Sequence, residues 1–243
     1  MNIRILNRDI IKYIAVFAML FNHISAAFLE KGTFLGEFFL DIGYFTAPVM
    51  CYFLVEGHHY THSKGRYMTR LLVFAFISQV PFYMALSWGN PFPGMLNMMF
   101  TLFVCFLILE VKLRVVNATA KILLYILLIC ANSFCDWPAM AGVYTLLFAY
   151  AYGSRRKTRK AFGICTLIFL LPMYMTNSAL FPARKAALLT GCAAFGVLAA
   201  AAAILYFYNG KQAERGRTFS KWFFYIFYPA HLLVIGIIRM FCV

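Results

Sequence analysis

Residues 12–25 read KYIAVFAMLFNHIS, an apolar run with Lys12 at its head and Asn22–His23 near its tail. With its flanks it reaches about twenty residues, enough for a helix to cross the hydrocarbon layer of a bilayer. A secretion signal normally has an apolar region of about 7–15 residues without an ionisable group. The SAA at 25–27 resembles a cleavage tail, but the longer run and His23 make this a permanent span. The rest of the chain agrees. Of its 243 residues 63% are hydrophobic, 19% aromatic and 12% charged. A soluble domain is nearer half apolar and about a quarter charged, so a bilayer is the solvent this composition fits.

Walking outward gives nine apolar runs, at 10–29, 36–56, 68–87, 95–113, 118–135, 138–153, 161–176, 185–208 and 219–241. They predict an all-α, polytopic helical bundle forming a single transmembrane domain over 1–243. The connections SWGNPFPGMLN (87–97) and FCDWP (134–138) read as tight outer turns. The net charge of +14 would suit nucleic acid only if its cations shared one face. Instead, eighteen of the twenty-two lysines and arginines fall in alternate connections, leaving Lys31, Arg184, Lys185 and Arg239 on the other side. Basic loops stay cytoplasmic, so the N-terminus is expected inside and the C-terminus outside, with lipid and not nucleic acid as the surroundings. The seven cysteines include no C-x-x-C pair and nearly all lie within spans, where small apolar packing explains them.

Ionisable groups inside a bilayer are costly and face a protein interior, a partner or a cavity. Here they are few: His23, Asp41, Glu56, Arg70, Glu110, His231 and Arg239, with Lys12, His58, His59 and His62 at the margin. Counted from the cytoplasmic ends of their spans at ~1.5 Å per residue, His23 lies ~20 Å deep and His231 ~18 Å. Two histidines from opposite ends of the chain thus reach one level. Glu56 emerges inside beside GHHYTHSKGR, where histidines crowd with Lys64, Arg66 and Arg70. Such a donor-rich pocket at the inner face suits a phosphorylated ligand. HHYTH could be a metal tract, but adjacent His58 and His59 cannot meet one ion from the same helix side, and no metal site is expected. Glu110 beside VKLR reads as an interfacial ion pair, and Arg239 as a residue that snorkels.

Five stretches carry a resemblance: KYIAVFAMLFNHI (12–24), IGYFTAPVMCYFLVEGHHYTHSKGRYMTRLLVFAFISQVPF (42–82), LNMMFTLFVCFLI (96–108), DWPAMAGVYTLLFAYAY (136–152) and WFFYIFYPAHLLVI (222–235). In these the chain resembles the TraX family of membrane acetyltransferases, named for the conjugation protein that acetylates the N-terminus of pilin. That family is similar to the wider group of membrane-bound acyltransferases, whose pattern Lys12-x10-His23 matches. The resemblance implies transfer of an acetyl group from cytoplasmic acetyl-CoA to an amine, a peptide N-terminus or an amino sugar, in a bacterial inner membrane. Alternatives are O-acylation of a glycan or lipid hydroxyl, and a small proton-coupled transporter.

The resemblance further implies that His23 is the general base, since an imidazole taken out of water favours its uncharged form. Where the family's usual form has an aspartate, this chain has Asn22, which orients an imidazole without stabilising its cation. Asp41 is the first candidate for the missing carboxylate, and His231 and Tyr228 of YPAH are expected to form a second polar wall. Pro229 should kink the last span and free a carbonyl toward the site. The acetyl-CoA mouth is expected from Lys12, Glu56, His58, His59, His62, Arg66, Tyr67 and Arg70, with Tyr67 or Tyr60 stacking on adenine. Asn97, Thr101, Gln79 and Ser78 remain open as donors near substrate and its oxyanion.

Overall fold

The computed structural model describes residues 4–87 and 94–242. Its helices are α1 (Arg8–Phe28), α2 (Phe34–Gly43), α3 (Thr46–Tyr60), α4 (Lys64–Leu86), α5 (Met98–Arg114), α6 (Ala118–Asn132), α7 (Met140–Ala151), α8 (Arg155–Ser178), α9 (Ala183–Ala202) and α10 (Arg217–Cys242). Among the described residues the only β-pairings are the isolated bridges Leu6–Tyr208 and Leu96–Cys135. The chain is an all-helical, polytopic membrane bundle. Six segments are long and apolar enough to cross a membrane: Arg8–Phe28, Phe34–Tyr60, Lys64–Leu86, Arg155–Ser178, Ala183–Phe207 and Arg217–Phe241. The other three expected spans are helices of 17, 15 and 12 residues. At 1.5 Å per residue the shortest reaches ~18 Å, short of the ~30 Å hydrocarbon layer. Of the connection at 87–97, residues 88–93 lie outside the described residues.

Helix starts follow the polar residues that precede the apolar runs. Asn7, Thr33, Asn97, Asn117 and Ser154 each accept a backbone N–H from the first turn of the helix that follows, and such caps satisfy donors that lipid would leave bare. The second expected span is one run in sequence and two helices in space. A turn at Tyr44 and Phe45 separates them, and α3 restarts at Thr46 with Pro48 in its first turn, where a backbone N–H has no partner to lose. Thr46 Oγ1 then donates to Ala15 O at 2.7 Å, fixing α3 on α1.

Helices α1, α4 and α10 run parallel. Tyr13 meets Ser220 at 3.0 Å and the rings of Phe17 and Phe227 lie 5.9 Å apart. At the far end Arg239 Nη1 donates to Ala85 O at 2.8 Å. Phe76, Val80, Leu167, Leu171, Phe195 and Ile226 are exposed, as side chains facing lipid are.

Small residues set the closest approaches, as they do between membrane helices. A Cβ on Gly43 of α2 would overlap the Asn22 side chain of α1, and Asn22 Nδ2 donates to Leu40 O at 3.1 Å across the same seam. Gly163 on α8 has open space instead. Gly43→Ala is therefore expected to destabilise the protein by about 1–3 kcal/mol through overpacking. Gly163→Ala should be neutral or stabilising by up to about 1 kcal/mol. Thermal unfolding in one detergent, read for both variants, checks the opposite signs.

Candidate active site

Two cavities lie along the bundle, sharing walls from α1, α3, α4 and α5. The first, of about 360 Å³, is lined by Arg8, Lys12, Arg70 and Lys221 together with His62, Tyr60, Tyr67 and Tyr225, and no carboxylate lines it. The second, of about 290 Å³, is lined by Asn22, His23, Thr46, Ser87 and Asp136 among apolar side chains. Along α1, Lys12 and His23 are eleven residues apart, ~16 Å of helix rise. Met50 and Met99 line the first cavity, and Met19 and Met98 the second. Flexible thioether side chains thus stand where the two meet.

The histidine chamber is built on the parallel pairing of α1 with α10. His23 Nδ1 lies 2.8 Å from His231 Nε2, and the two rings are stacked within 7° of parallel. His231 Nδ1 lies 2.7 Å from Phe227 O. A carbonyl only accepts, so His231 Nδ1 carries a proton. In the neutral pair His231 Nε2 is then an acceptor, and His23 Nδ1 donates to it. The remaining lone pair is at His23 Nε2, which has no hydrogen bond among the described residues. The pair is a directed chain ending in a base on the chamber wall.

The expected carboxylate is elsewhere. Asp41 lines a third cavity, about 680 Å³ between α1, α2 and α9, with its Oδ1 buried and unpartnered. It is α2 that separates the two: Leu40 and Gly43 line the histidine chamber, Asp41 and Ile42 the other side. The carboxylate in the chamber is Asp136, hidden in the sequence within the short FCDWP turn. Its Oδ1 accepts Trp137 N at 3.0 Å, its N donates to Leu96 O at 2.7 Å and its carbonyl accepts Thr101 Oγ1 at 2.7 Å. Burial pushes its carboxyl up to about 6, against the pull of the Trp137 N–H. The two flanking residues Trp137 and Ala139 have φ of 58° and 56°, a conformation that costs a side chain with a Cβ roughly 1–2 kcal/mol.

Several expected donors have other work. Asn97 gives its amide protons to Ala75 O and Gln79 Oε1 while capping α5. Thr101 Oγ1 donates to the Asp136 carbonyl and Ser78 Oγ to Phe74 O. They hold α4, α5 and the Asp136 turn together, and none lines the chamber. Tyr228 is buried with its oxygen accepting Met98 N at 3.0 Å and its ring against His23. Pro229 sits inside an unbroken α10. The carbonyl it frees is that of Tyr225, whereas the one His231 uses is that of Phe227.

At the cationic cavity Lys12, His62, Tyr67 and Arg70 line the wall as expected, joined by Arg8, Gln212 and Lys221. In the sequence Arg8 and Lys221 count only among the topogenic basic residues, and nothing singles out Gln212. The other four expected residues do not line it. His58 Nε2 is 2.6 Å from Glu110, itself paired with Arg114; exposed Arg66 donates to Ser63 Oγ; His59 packs its ring on Tyr60 and Tyr152. Glu56 accepts from Tyr208 OH at 2.7 Å and lies 3.9 Å from Arg8. The Nε atoms of Arg8 and Arg70 are buried without a partner. Four cations, no lining carboxylate and two unmet guanidinium donors fit a phosphorylated ligand.

The described residues thus define a helical membrane protein with a directed histidine pair in one cavity and a cluster of cations lining another. The chain belongs to the TraX family, whose description, TraX protein, it matches over residues 7–239. It is also similar to the probable fimbrial assembly protein FimC of Dichelobacter nodosus, with 30% identity over 242 residues and 95% of each chain covered. No solved structure matches it significantly.

The two positive φ angles beside Asp136 give a stability test. Ala139→Gly is expected to raise stability by about 0.5–1 kcal/mol, the relief of the Cβ clash less glycine's entropy. Calorimetry of the purified protein reads this as a higher Tm, and a lower Tm would contradict it.

Proposed function

We propose that the protein is an integral membrane acyltransferase that moves an acetyl group from cytoplasmic acetyl-CoA to an amine. The observation that carries this reading is the histidine chain ending at His23 Nε2, in a chamber adjoining a four-cation cavity. Family membership supports it, since TraX proteins are associated with pilin assembly and acetylation. The FimC name ties that relative to fimbrial assembly and favours a peptide amine as acceptor. The basic connections support a bacterial inner membrane with the cationic cavity at the cytoplasmic face.

In this reading Arg8, Lys12, Arg70 and Lys221 hold the phosphates of the donor, and Tyr67, beneath the Arg70 guanidinium, offers a ring to the base. The donor supplies an acetyl thioester, an acyl group already activated. His23 Nε2 takes a proton from the attacking amine as the C–N bond forms and returns it to the departing sulfur as the C–S bond breaks. Such acid–base work is worth roughly 10²- to 10⁴-fold. His231 shares the charge His23 gains and keeps its ring in register through the Phe227 carbonyl. Asn22 has one amide proton left after bonding Leu40 O, a donor for the acyl oxygen. Apolar walls keep water from the thioester.

The test is acetylation of a peptide bearing a free α-amine by purified protein in nanodiscs, followed by mass spectrometry. His23→Gln should lower kcat at least 100-fold with the fold intact. Arg70→Gln should raise the KM for acetyl-CoA, and the rise should shrink at high salt as screening takes over. A His23→Gln protein with wild-type turnover would refute the base. Products that survive mild alkali are amides, and labile ones would point to a hydroxyl acceptor.

A further inference from the structure

Asp136 is the one charged group on the wall of the histidine chamber. Its structural duty is small. The bond from Trp137 N to Oδ1 would be accepted equally well by an asparagine oxygen, and α7 begins beyond it with Ala139 at the cap and no side-chain cap bond. What the carboxylate adds over an amide is therefore charge. Oδ2 has no hydrogen bond among the described residues, and none of the ion pairs among them involves Asp136. A partly buried carboxylate with no cation is costly. The position is also tightly held, from Leu96 O, Thr101 Oγ1 and the left-handed turns at Trp137 and Ala139. Strain of that kind persists where surrounding structure over-determines a site.

We infer that Asp136 is the subsite for the cationic form of the acceptor, receiving an ammonium group at Oδ2 and so selecting amines over hydroxyls in the chamber that His23 serves. This rests on the acetyltransferase reading and deepens it by naming how the acceptor is recognised. The chemistry is consistent in protons. An ammonium gives one proton to the Asp136 carboxylate and becomes a neutral amine; its second proton passes to His23 Nε2 as the C–N bond forms. The Asp136 proton then leaves to solvent, and the one on His23 leaves with the thiol. The titratable groups that share the chamber with Asp136 are His23 from α1 and Tyr44 at the end of α2, with Tyr228 from α10 and the neighbouring Cys135 close by, and none supplies a fixed positive charge. Arg8, Lys12, Arg70 and Lys221 stand at the other cavity, so the chamber's own electrostatics favour a cation where the donor cavity favours an anion.

The experiment compares two acceptors on full-length wild type, Asp136→Asn and Asp136→Glu in nanodiscs with acetyl-CoA as donor. One acceptor is a short peptide with a free α-amine, largely ammonium at neutral pH. The other is hydroxylamine, largely uncharged there. Asp136→Asn should raise the KM for the peptide about 30-fold or more, as loss of one partner of a desolvated charge pair does. Its KM for acetyl-CoA and its rate with hydroxylamine should stay within about twofold of wild type, and Asp136→Glu should recover part of the peptide's affinity. As pH rises and the peptide amine deprotonates, the gap between wild type and Asp136→Asn should close. An unchanged peptide KM in Asp136→Asn overturns the inference. So does an equal loss with both acceptors, which marks a structural role only. If wild type acetylates neither acceptor, the acetyltransferase reading itself falls and takes this inference with it.

Discussion

The proton on His231 Nδ1 is committed to the Phe227 carbonyl 2.7 Å away, and that commitment sets the direction of the whole buried pair. Once His231 Nε2 must accept, His23 Nδ1 must donate, and the free lone pair falls at His23 Nε2 on the chamber side. The rest of the bundle serves that alignment. Helices α1 and α10 come from opposite ends of the chain and have to lie parallel for the rings to meet. Their contacts from Tyr13–Ser220 through Phe17–Phe227 hold that register. Stacking of Phe227 on His231 at 4.9 Å keeps the second ring from turning. In hydrocarbon an imidazole nitrogen left without a partner would be costly, so pairing the rings both satisfies them and aims one of them.

The two cavities divide the electrostatic labour. At one end, the N-terminal arm is clipped to the 207–213 segment by Leu6 N to Phe207 O, Asn209 N to Leu6 O and Arg8 N to Lys211 O. This brings Arg8 and Gln212 to the cationic cavity beside Lys12 and Arg70. At the other end, a short strained turn sets a carboxylate on the wall of the cavity that His23 also lines. In the proposed reading an anionic donor and a cationic acceptor would each find the opposite sign of charge, and methionines line both cavities with soft side chains. An apolar middle also keeps the two charged walls from neutralising one another.

Much of this was legible in the residues. Six of the nine apolar runs became helical segments long enough to cross a membrane, and three came out shorter. Equal depth along two inward-starting helices brought His23 and His231 to one level, and the coordinates join them. What failed did so for physical reasons. A turn at Tyr44 and Phe45 splits a run that hydropathy reads as continuous. Asp41 was expected beside His23 because both lie toward the outer half, but α2 turns it to the opposite face. Asn97, Gln79 and Thr101 look like free donors in a list of polar residues, yet each is taken up by carbonyls and side chains within the bundle. Asp136 carries no such signal, because nothing in FCDWP or the alanine after it announces that Trp137 and Ala139 take positive φ and that the carboxylate lines the chamber. Arg8 and Lys221 carry a signal that topogenic charges share, and only the folded cavity separates them.

The most direct test of the directed pair is 15N NMR of the protein labelled in its histidine rings, with His231→Gln used to assign the signals. The structure predicts Nδ1-protonated tautomers for both His23 and His231, with a scalar coupling across the bond from His23 Nδ1 to His231 Nε2 and an unprotonated Nε2 on His23. A proton resident on His23 Nε2 in the resting protein, with Nδ1 as acceptor, would contradict the account at its centre.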